Sequence, residues 1–526
     1  MFSRRSFSQG IGALSLYACL EPEARAQAIV DNEDCGVTSG SPRPDGFVIW
    51  TRVPLEFRRN ANVVDVKYQV STTQGFEARN IVASGDVQTS DAKDFTVKVP
   101  ISGLSPFTTY YYRFSNARGF ASVTGRAKTA PSPTAQQNVS FATVSCQAMS
   151  AGYYSAYLAL VQKNVDYVIH LGDHIYERER GRDGNPDPLG NREAKTLSDY
   201  RRKYRWYLSD PAWREARRLF TWIDIWDDHE VFNDWDADDV GDDATRFTAA
   251  YQAFAEYIPI EEELRRGPGG RPVLQMFRSL QFGSLVDMIA LDQRQFRDKM
   301  PCEDDFMVVT CDAARSARHT MLGTTQKNWF KDTLGASSAR WRLVLNEVML
   351  SPFYVPAPDE LTARTAIDML HGDAEAIDDY VLNLDAWDGY PAERQELMEF
   401  IGSEGIDNVV AITGDIHSAY NALLYRDPHD QRSGAVAVEV VTAAVSSWPL
   451  ANSLRRAFGS DVDGAVRRRN AQFAWCDTAS NGFTILRFTA AGMTTEHVAA
   501  TTTTRADAAS RVVRTASVAS GRAAFS

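Results

Sequence analysis

The chain has 526 residues, 44% hydrophobic and 24% charged, a balance that suits a large globular core and excludes disorder as its main state. Its 56 basic and 68 acidic residues leave a formal charge of −12. That argues against nonspecific nucleic-acid binding, and against handling anions unless bound metal reverses the sign locally. No run of ~18 uninterrupted apolar residues occurs, so no helix is expected to span a membrane.

Residues 1–28 read as an export signal rather than as part of the fold. Arg4 and Arg5 lie in "SRRSFSQG", the apolar stretch "IGALSLYACL" follows, and Ala26 and Ala28 fit an A-x-A cleavage pattern. The Arg pair and its spacing resemble a twin-arginine signal, which makes the twin-arginine translocase the partner during export and the destination periplasmic or secreted. A Sec-type signal, or lipidation at Cys19, are the other readings. Folded export would allow cofactors to be loaded before departure.

From 29 to 130 the pattern is β. Val64, Val66, Tyr68 and Val70 alternate with polar residues, as do Phe95, Val97 and Val99, then Tyr110, Tyr112 and Phe114. Period-two runs between turn residues predict an antiparallel sandwich, and "GLSPFTTYYYRF" has the spacing of a fibronectin-type tyrosine corner. "TAPSPTAQQN" (129–138) is a linker by composition, with the join at 131–137. Beyond it, over 138–500, strands alternate with helices. "VSFATVS", "VDYVIHL", "FTWIDIW", "SLVDMIALD", "RWRLVLNEVML" and "DNVVAITG" read as strands, and "SAYLALVQKN" and "TQKNWFKDTLG" as helices. The expected class is α/β, preceded by an all-β fibronectin-like sandwich. Residues 501–526, rich in Thr, Ala, Ser and Arg, read as a weakly structured tail.

Six cysteines occur, at 19, 35, 146, 302, 311 and 476. Cys302 and Cys311 lie in one polar loop and suit a local disulfide; Cys35 with Cys476 is a second candidate pair. Cys146 is then the one free thiol, at the end of a buried strand.

Four strand ends carry chemistry. They are Cys146, then Asp173 and Tyr176, then Asp228, His229 and Asn233, and finally Asp415 and His417. One such end is ordinarily a cap or turn; four in one α/β domain point to a site at the carboxyl ends of strands. A thiolate, a phenolate, a carboxylate and an imidazole suit Fe(III), whereas Asn233 and Asp415 offer only oxygen and suit Ca(II) or Mg(II). Asp173 is placed to bridge both ions. Two such ions clamp a phosphate ester.

The segments "CGVTSGSPRPDGFVIWTRV" (35–53), "GDHIYE" (172–177), "WDDHEVFNDW" (226–235), "LDQRQFR" (291–297) and "GDIHSAY" (414–420) together resemble PhoD-type alkaline phosphatases, whose site is similar to that of purple acid phosphatases. The resemblance runs from about residue 35 to 500. It implies a metallophosphoesterase-like domain of two sheets flanked by helices, after the N-terminal sandwich, and hydrolysis of phosphate monoesters, with diesters as further substrates. It implies Fe(III) on Cys146, Asp173, Tyr176 and His417, and Ca(II) on Asp173, Asn233 and Asp415. Asp228 and His229 would contact substrate or support the ligands, with His229 a candidate proton donor. Arg294 and Arg297 would hold phosphate or pair with Asp292. Asn346 ends a strand where related enzymes place a ligand, though Glu347 beside it is unusual. A diesterase or phospholipase D-like hydrolase, and a noncatalytic calcium-binding surface module, are the rival functions. The protein is expected to act as a monomer.

Two smaller features complete the reading. "DWDADDVGDDA" (234–244) begins like an EF-hand but lacks Gly at position six and Glu at twelve, so it reads as a solvated acidic loop or a supplementary calcium site. His170 reads as a satisfied core residue and His174 as a lesser candidate for touching substrate. His319, His371, His429 and His497 carry no signal.

Overall fold

The computed structural model describes residues 35–58, 61–182, 185–302, 306–355, 380–505 and 509–526. The export signal, Cys19 and His371 lie outside the described residues.

Seven strands precede the linker: β1 (Val37–Arg43), β2 (Gly46–Arg52), β3 (Val63–Ser71), β4 (Ile81–Ser90), β5 (Thr96–Ile101), β6 (Thr109–Ser115) and β7 (Gly125–Lys128). β4, β3, β6 and β7 form one antiparallel sheet, facing β1, β2 and β5. Val37, Ile49, Val66, Val70, Val97, Tyr112 and Phe114 fill the space between them, as their alternation predicts. The tyrosine corner forms: the Ser105 amide donates to the Tyr110 hydroxyl at 2.9 Å.

Among the described residues, thirteen further strands complete the two large sheets: β8 (Val139–Val144), β9 (Tyr167–Leu171), β10 (Thr221–Ile225), β11 (Arg278–Phe282), β12 (Val286–Ala290), β13 (Trp341–Asn346), β14 (Val409–Thr413), β15 (Ala419–Tyr425), β16 (Ala435–Val441), β17 (Phe473–Asp477), β18 (Gly482–Phe488), β19 (Gly492–Ala500) and β20 (Ser510–Ala519). They form two sheets. One runs β20-β19-β18-β8-β9-β10-β1-β2-β5 and the other β11-β12-β13-β14-β16-β15-β17. Phe141, Ile169, Ile223, Met288, Leu343 and Ile412 pack between these sheets. β8, β9 and β10 are parallel neighbours, as are β12, β13 and β14. Buried on both faces, they read as near-continuous apolar runs rather than alternations.

The sandwich is not a separate bead on the chain. β1 pairs in parallel with β10, Ser39 opposite Thr221 and Gly40 opposite Trp222. One sheet of the sandwich is thus the far wing of the nine-stranded sheet.

Two expectations are corrected. The segment after residue 500 is not a loose tail: β20 pairs with β19 over most of its length, and Ala516 and Val518 are buried. Its Thr, Val and Ser residues favour an edge strand, which their polar composition disguised. Cys302 and Cys311 do form a disulfide, but Cys35 and Cys476 do not pair. Cys35 packs with Trp50 and Trp213, and Cys476 with Phe353 and Phe473, in different cores. Among the described residues, Cys35, Cys146 and Cys476 are buried and take part in no disulfide.

Candidate metal centre

The register of the parallel strands sets the site. Val144 lies opposite His170, and Leu171 opposite Ile225, so β8, β9 and β10 end along one edge. The turn after β14 meets that edge from the other sheet. A Cβ on Gly414 would lie 3.0 Å from Ser145 Cβ and 3.1 Å from the Leu171 carbonyl oxygen. Gly172 permits the closest approach. Its φ is +100°, and a Cβ there would stand 2.4 Å from Asp227 Cβ. Gly172→Ala is therefore expected to cost at least ~2 kcal/mol of stability, from backbone strain and the enforced separation of two turns; denaturant unfolding measures it.

The residues presented at these ends have left-handed backbones. Cys146, Asp173, Asp415 and His417 have φ of 54°, 59°, 58° and 54°. Non-glycine residues adopt this region at a cost, and such strain clusters at functional sites.

Cys146, Asp173 and His417 offer donor atoms that all lie within 4.8 Å of one another. The Tyr176 hydroxyl joins them, 2.8 Å from Asp173 Oδ2 and 3.2 Å from His417 Nε2. His417 Nδ1 lies 3.1 Å from the Trp448 carbonyl. A carbonyl only accepts, so Nδ1 holds the hydrogen and Nε2 turns its lone pair toward the cluster. Asp173, Asp228 and His229 form a second group within 4.8 Å, sharing Asp173 with the first. Asp228 Oδ1 accepts from the His229 amide at 2.7 Å and Oδ2 from the Asp234 amide at 2.7 Å, which fixes its carboxylate.

The electrostatics ask for a cation. Burial, then the Asp173 charge, pushes the Cys146 thiol and the Tyr176 phenol well above their usual ranges. Burial also raises the Asp173 carboxyl; His229 opposes that rise, while Asp228 and Glu230 add to it. Asp415 is pushed up to about 7 by burial and by Asp385. His417 is held down at about 4 by burial and by His229. Burial disfavours the His229 cation, yet Asp228, Glu177 and Asp173 outweigh it and raise that imidazole well above its usual range. A cation among these groups would reverse the upward shifts of the thiol, phenol and carboxyls. Asp173 Oδ1 is buried without a hydrogen-bond partner, the state of a carboxylate oxygen reserved for a ligand. The donor set therefore fits metal.

Other predicted residues fall elsewhere. Asn233 is exposed and its amide donates to Asp234. Asp228, read as a substrate contact, is the residue that stands beside Asp173. Arg294 is fully buried, its Nε 2.6 Å from Asp227 and its Nη1 2.8 Å from Asp385. Arg297 shares Asp385 at 2.7 Å. Neither guanidinium pairs with Asp292, whose carboxylate instead accepts the Arg294 and Gln295 amides. Arg294 is thus ion-paired with Asp227 and Asp385, its Nη2 4.0 Å from Asp228 Oδ2. Asn346 is consumed by Trp387, Gln293 and Thr413. Glu347 accepts from the Gln293 amide behind it.

The acidic loop resolves into caps. Asp236 caps the Ala237–Asp242 helix in a capping box with Asp239, and Asp243 caps Ala244–Tyr257. His170 is a buried core residue, and its ring stacks on that of His174 at 3.7 Å. His174 is itself buried and cannot touch substrate. His497, read as uninformative, is buried and links the two sheets through Asn421 at 2.9 Å. Sequence reasoning missed Ser447, whose hydroxyl lies 2.8 Å from that of Tyr176 and donates to the Cys146 carbonyl at 2.9 Å. It also missed Glu177, 2.7 Å from His229 Nδ1. Glu177 sat inside a quoted motif; Ser447 had no signal at all.

Two stacked sheets thus deliver carboxylate, thiol, phenol and imidazole groups to one edge. A purple acid phosphatase from yellow lupin (Lupinus luteus) seeds shares the fold, with a TM-score of 0.53 at 12% identity over 92% of this chain and 74% of that one. The chain belongs to the PhoD-like phosphatase family, whose phosphatase domain matches residues 141–497 and whose N-terminal domain matches residues 20–131, and it is an alkaline phosphatase of that type. Alkaline phosphatase D of Bacillus subtilis (strain 168) is 31% identical over 471 residues, covering 85% of this chain and 76% of that protein. A solved PhoD structure superposes with a TM-score of 0.80 at 28% identity, over 94% of this chain and 91% of that one. No helix among the described residues is long and apolar enough to cross a membrane.

Proposed function

We propose that the protein is an exported, metal-dependent phosphatase that hydrolyses phosphate monoesters, and diesters at the same site. The observation that carries this is the convergence of Cys146, Asp173, Tyr176 and His417 around an unpartnered Asp173 oxygen. Those four residues would hold Fe(III). Asp173 and Asp228 would hold Ca(II), with Asn233 and Asp415 completing an oxygen-rich set. Such a pair of cations supplies charge neutralisation at the phosphoryl oxygens and a more acidic water.

The chain's own groups do the rest. Tyr176 is held by Ser447, so its oxygen points at Asp173 and His417 rather than to solvent. His229, braced by Glu177, stands at the rim with its side chain 19% exposed, where its protonated form donates a proton to the departing oxygen. Glu177 accepts the Nδ1–H hydrogen bond, which leaves Nε2–H as the donor. Export through the twin-arginine translocase fits the N-terminal signal and the Cys302–Cys311 disulfide.

Rates on p-nitrophenyl phosphate and on its bis-ester, before and after treatment with a calcium-selective chelator, test the reading. Turnover of the monoester should be lost on chelation and return with added Ca(II). Undiminished turnover after complete calcium removal would defeat the calcium assignment; turnover of the diester alone would make the enzyme a diesterase.

A further inference from the structure

We infer that Glu230 is a positioning residue that fixes the distance between Asp173 and Asp228, and hence the affinity of the cation they share; this rests on the two-cation reading above. Glu230 is 1% exposed and lies on the turn after β10, yet most of its bonds go to the turn after β9. Oε2 accepts the Asp173 amide at 3.2 Å and the Asp227 amide at 2.9 Å. Oε1 accepts the His174 amide and lies 2.8 Å from His174 Nδ1. One carboxylate therefore grips the backbone of the bridging aspartate, of its neighbour, and of the residue before Asp228.

The grip is itself braced. His174 Nε2 lies 3.1 Å from Asp224 Oδ1, so the ring is pinned between two carboxylates. His170 stacks on its face at 3.7 Å and Phe254 closes on its edge. Gly172, without a Cβ, lets the two turns come close enough for a single side chain to span them. Asp173 has a left-handed backbone, which needs external hydrogen bonds to persist. Glu230 supplies the bond to its amide.

The chemistry of the side chain makes the inference sharp. A carboxylate accepts at both oxygens, whereas a glutamine has one acceptor oxygen and presents N–H to the other set of amides. Glu230→Gln must therefore release one side of the clasp although its volume is unchanged. The control is Glu393, also buried, which accepts the Leu322 amide at 3.0 Å and touches no ligand-bearing turn.

The experiment is calorimetric titration of the metal-stripped full chain with Ca(II), with thermal unfolding measured on the same samples. Glu230→Gln should bind Ca(II) at least ~10-fold more weakly than wild type, in line with losses of ~10–100-fold for outer partners of ligands. Glu393→Gln should keep wild-type affinity even where its melting temperature falls as far. Glu230→Asp, one methylene shorter, should also lose affinity, and it carries the comparison if the glutamine variant does not fold. Wild-type affinity in either Glu230 variant, or an equal loss in Glu393→Gln, would overturn the inference. A wild-type chain that takes up no Ca(II) would overturn this inference together with the reading beneath it.

Discussion

Asp173→Asn is expected to lose bound metal and phosphatase activity together, with kcat/KM down by more than ~10²-fold, because even outer partners of metal ligands cost ~10–100-fold when removed. The residue belongs to both donor groups, the one with Cys146 and His417 and the one with Asp228 and His229. An amide keeps the shape and can still accept from Tyr176, so packing should change little. It cannot supply the negative charge that holds two cations close. Its backbone is secured independently by Glu230. Far-UV dichroism and melting within a few degrees of wild type, combined with loss of metal, is the expected result. Near wild-type turnover would mean that Asp173 bridges nothing.

The second large effect concerns Tyr176 and Cys146. A phenolate and a thiolate on one ferric ion give a visible charge-transfer band, so concentrated protein should be coloured. Tyr176→Phe removes the oxygen but keeps the ring, which lies 4.1 Å from that of His229. Ser447 loses one partner and retains the Cys146 carbonyl, a cost of about 1 kcal/mol. Cys146→Ser keeps the size but presents a hydroxyl that rarely ionises, where the thiol becomes a good ligand once deprotonated. Both variants should shift or lose the band and should lose activity. Absorption spectra of the two proteins beside wild type check this, and an unchanged spectrum in both would remove them from the ligand set.

The strand ends were legible because they obey a simple rule: an apolar run buried on both faces, then a short polar turn. β8, β9, β10 and β14 all do so, and their terminal residues are the ones that converge. Alternation was equally clear in β3, β5 and β6, and the Tyr110 corner followed from local spacing. What stayed hidden depends on contacts between distant parts of the chain. Arg294 could be read as a phosphate clamp because its partner Asp385 lies 91 residues away. Ser447 reaches Tyr176 across 271 residues and carries no motif.

Other differences have local causes. The Asp residues of 234–244 read as a solvated acidic loop or a supplementary calcium site; Asp236 and Asp239, three residues apart, form a helix capping box. Asp228 was read as a contact to substrate or a support for the ligands; its carboxylate is fixed by two amides and its oxygen stands beside that of Asp173. β20 was concealed by its polar, small residues, since an edge strand needs only one buried face.

Elemental analysis of the purified, active protein tests the central claim most directly. The account predicts one iron and at least one calcium per chain, with activity that scales with their occupancy across preparations. A fully active protein that contains neither metal would contradict it.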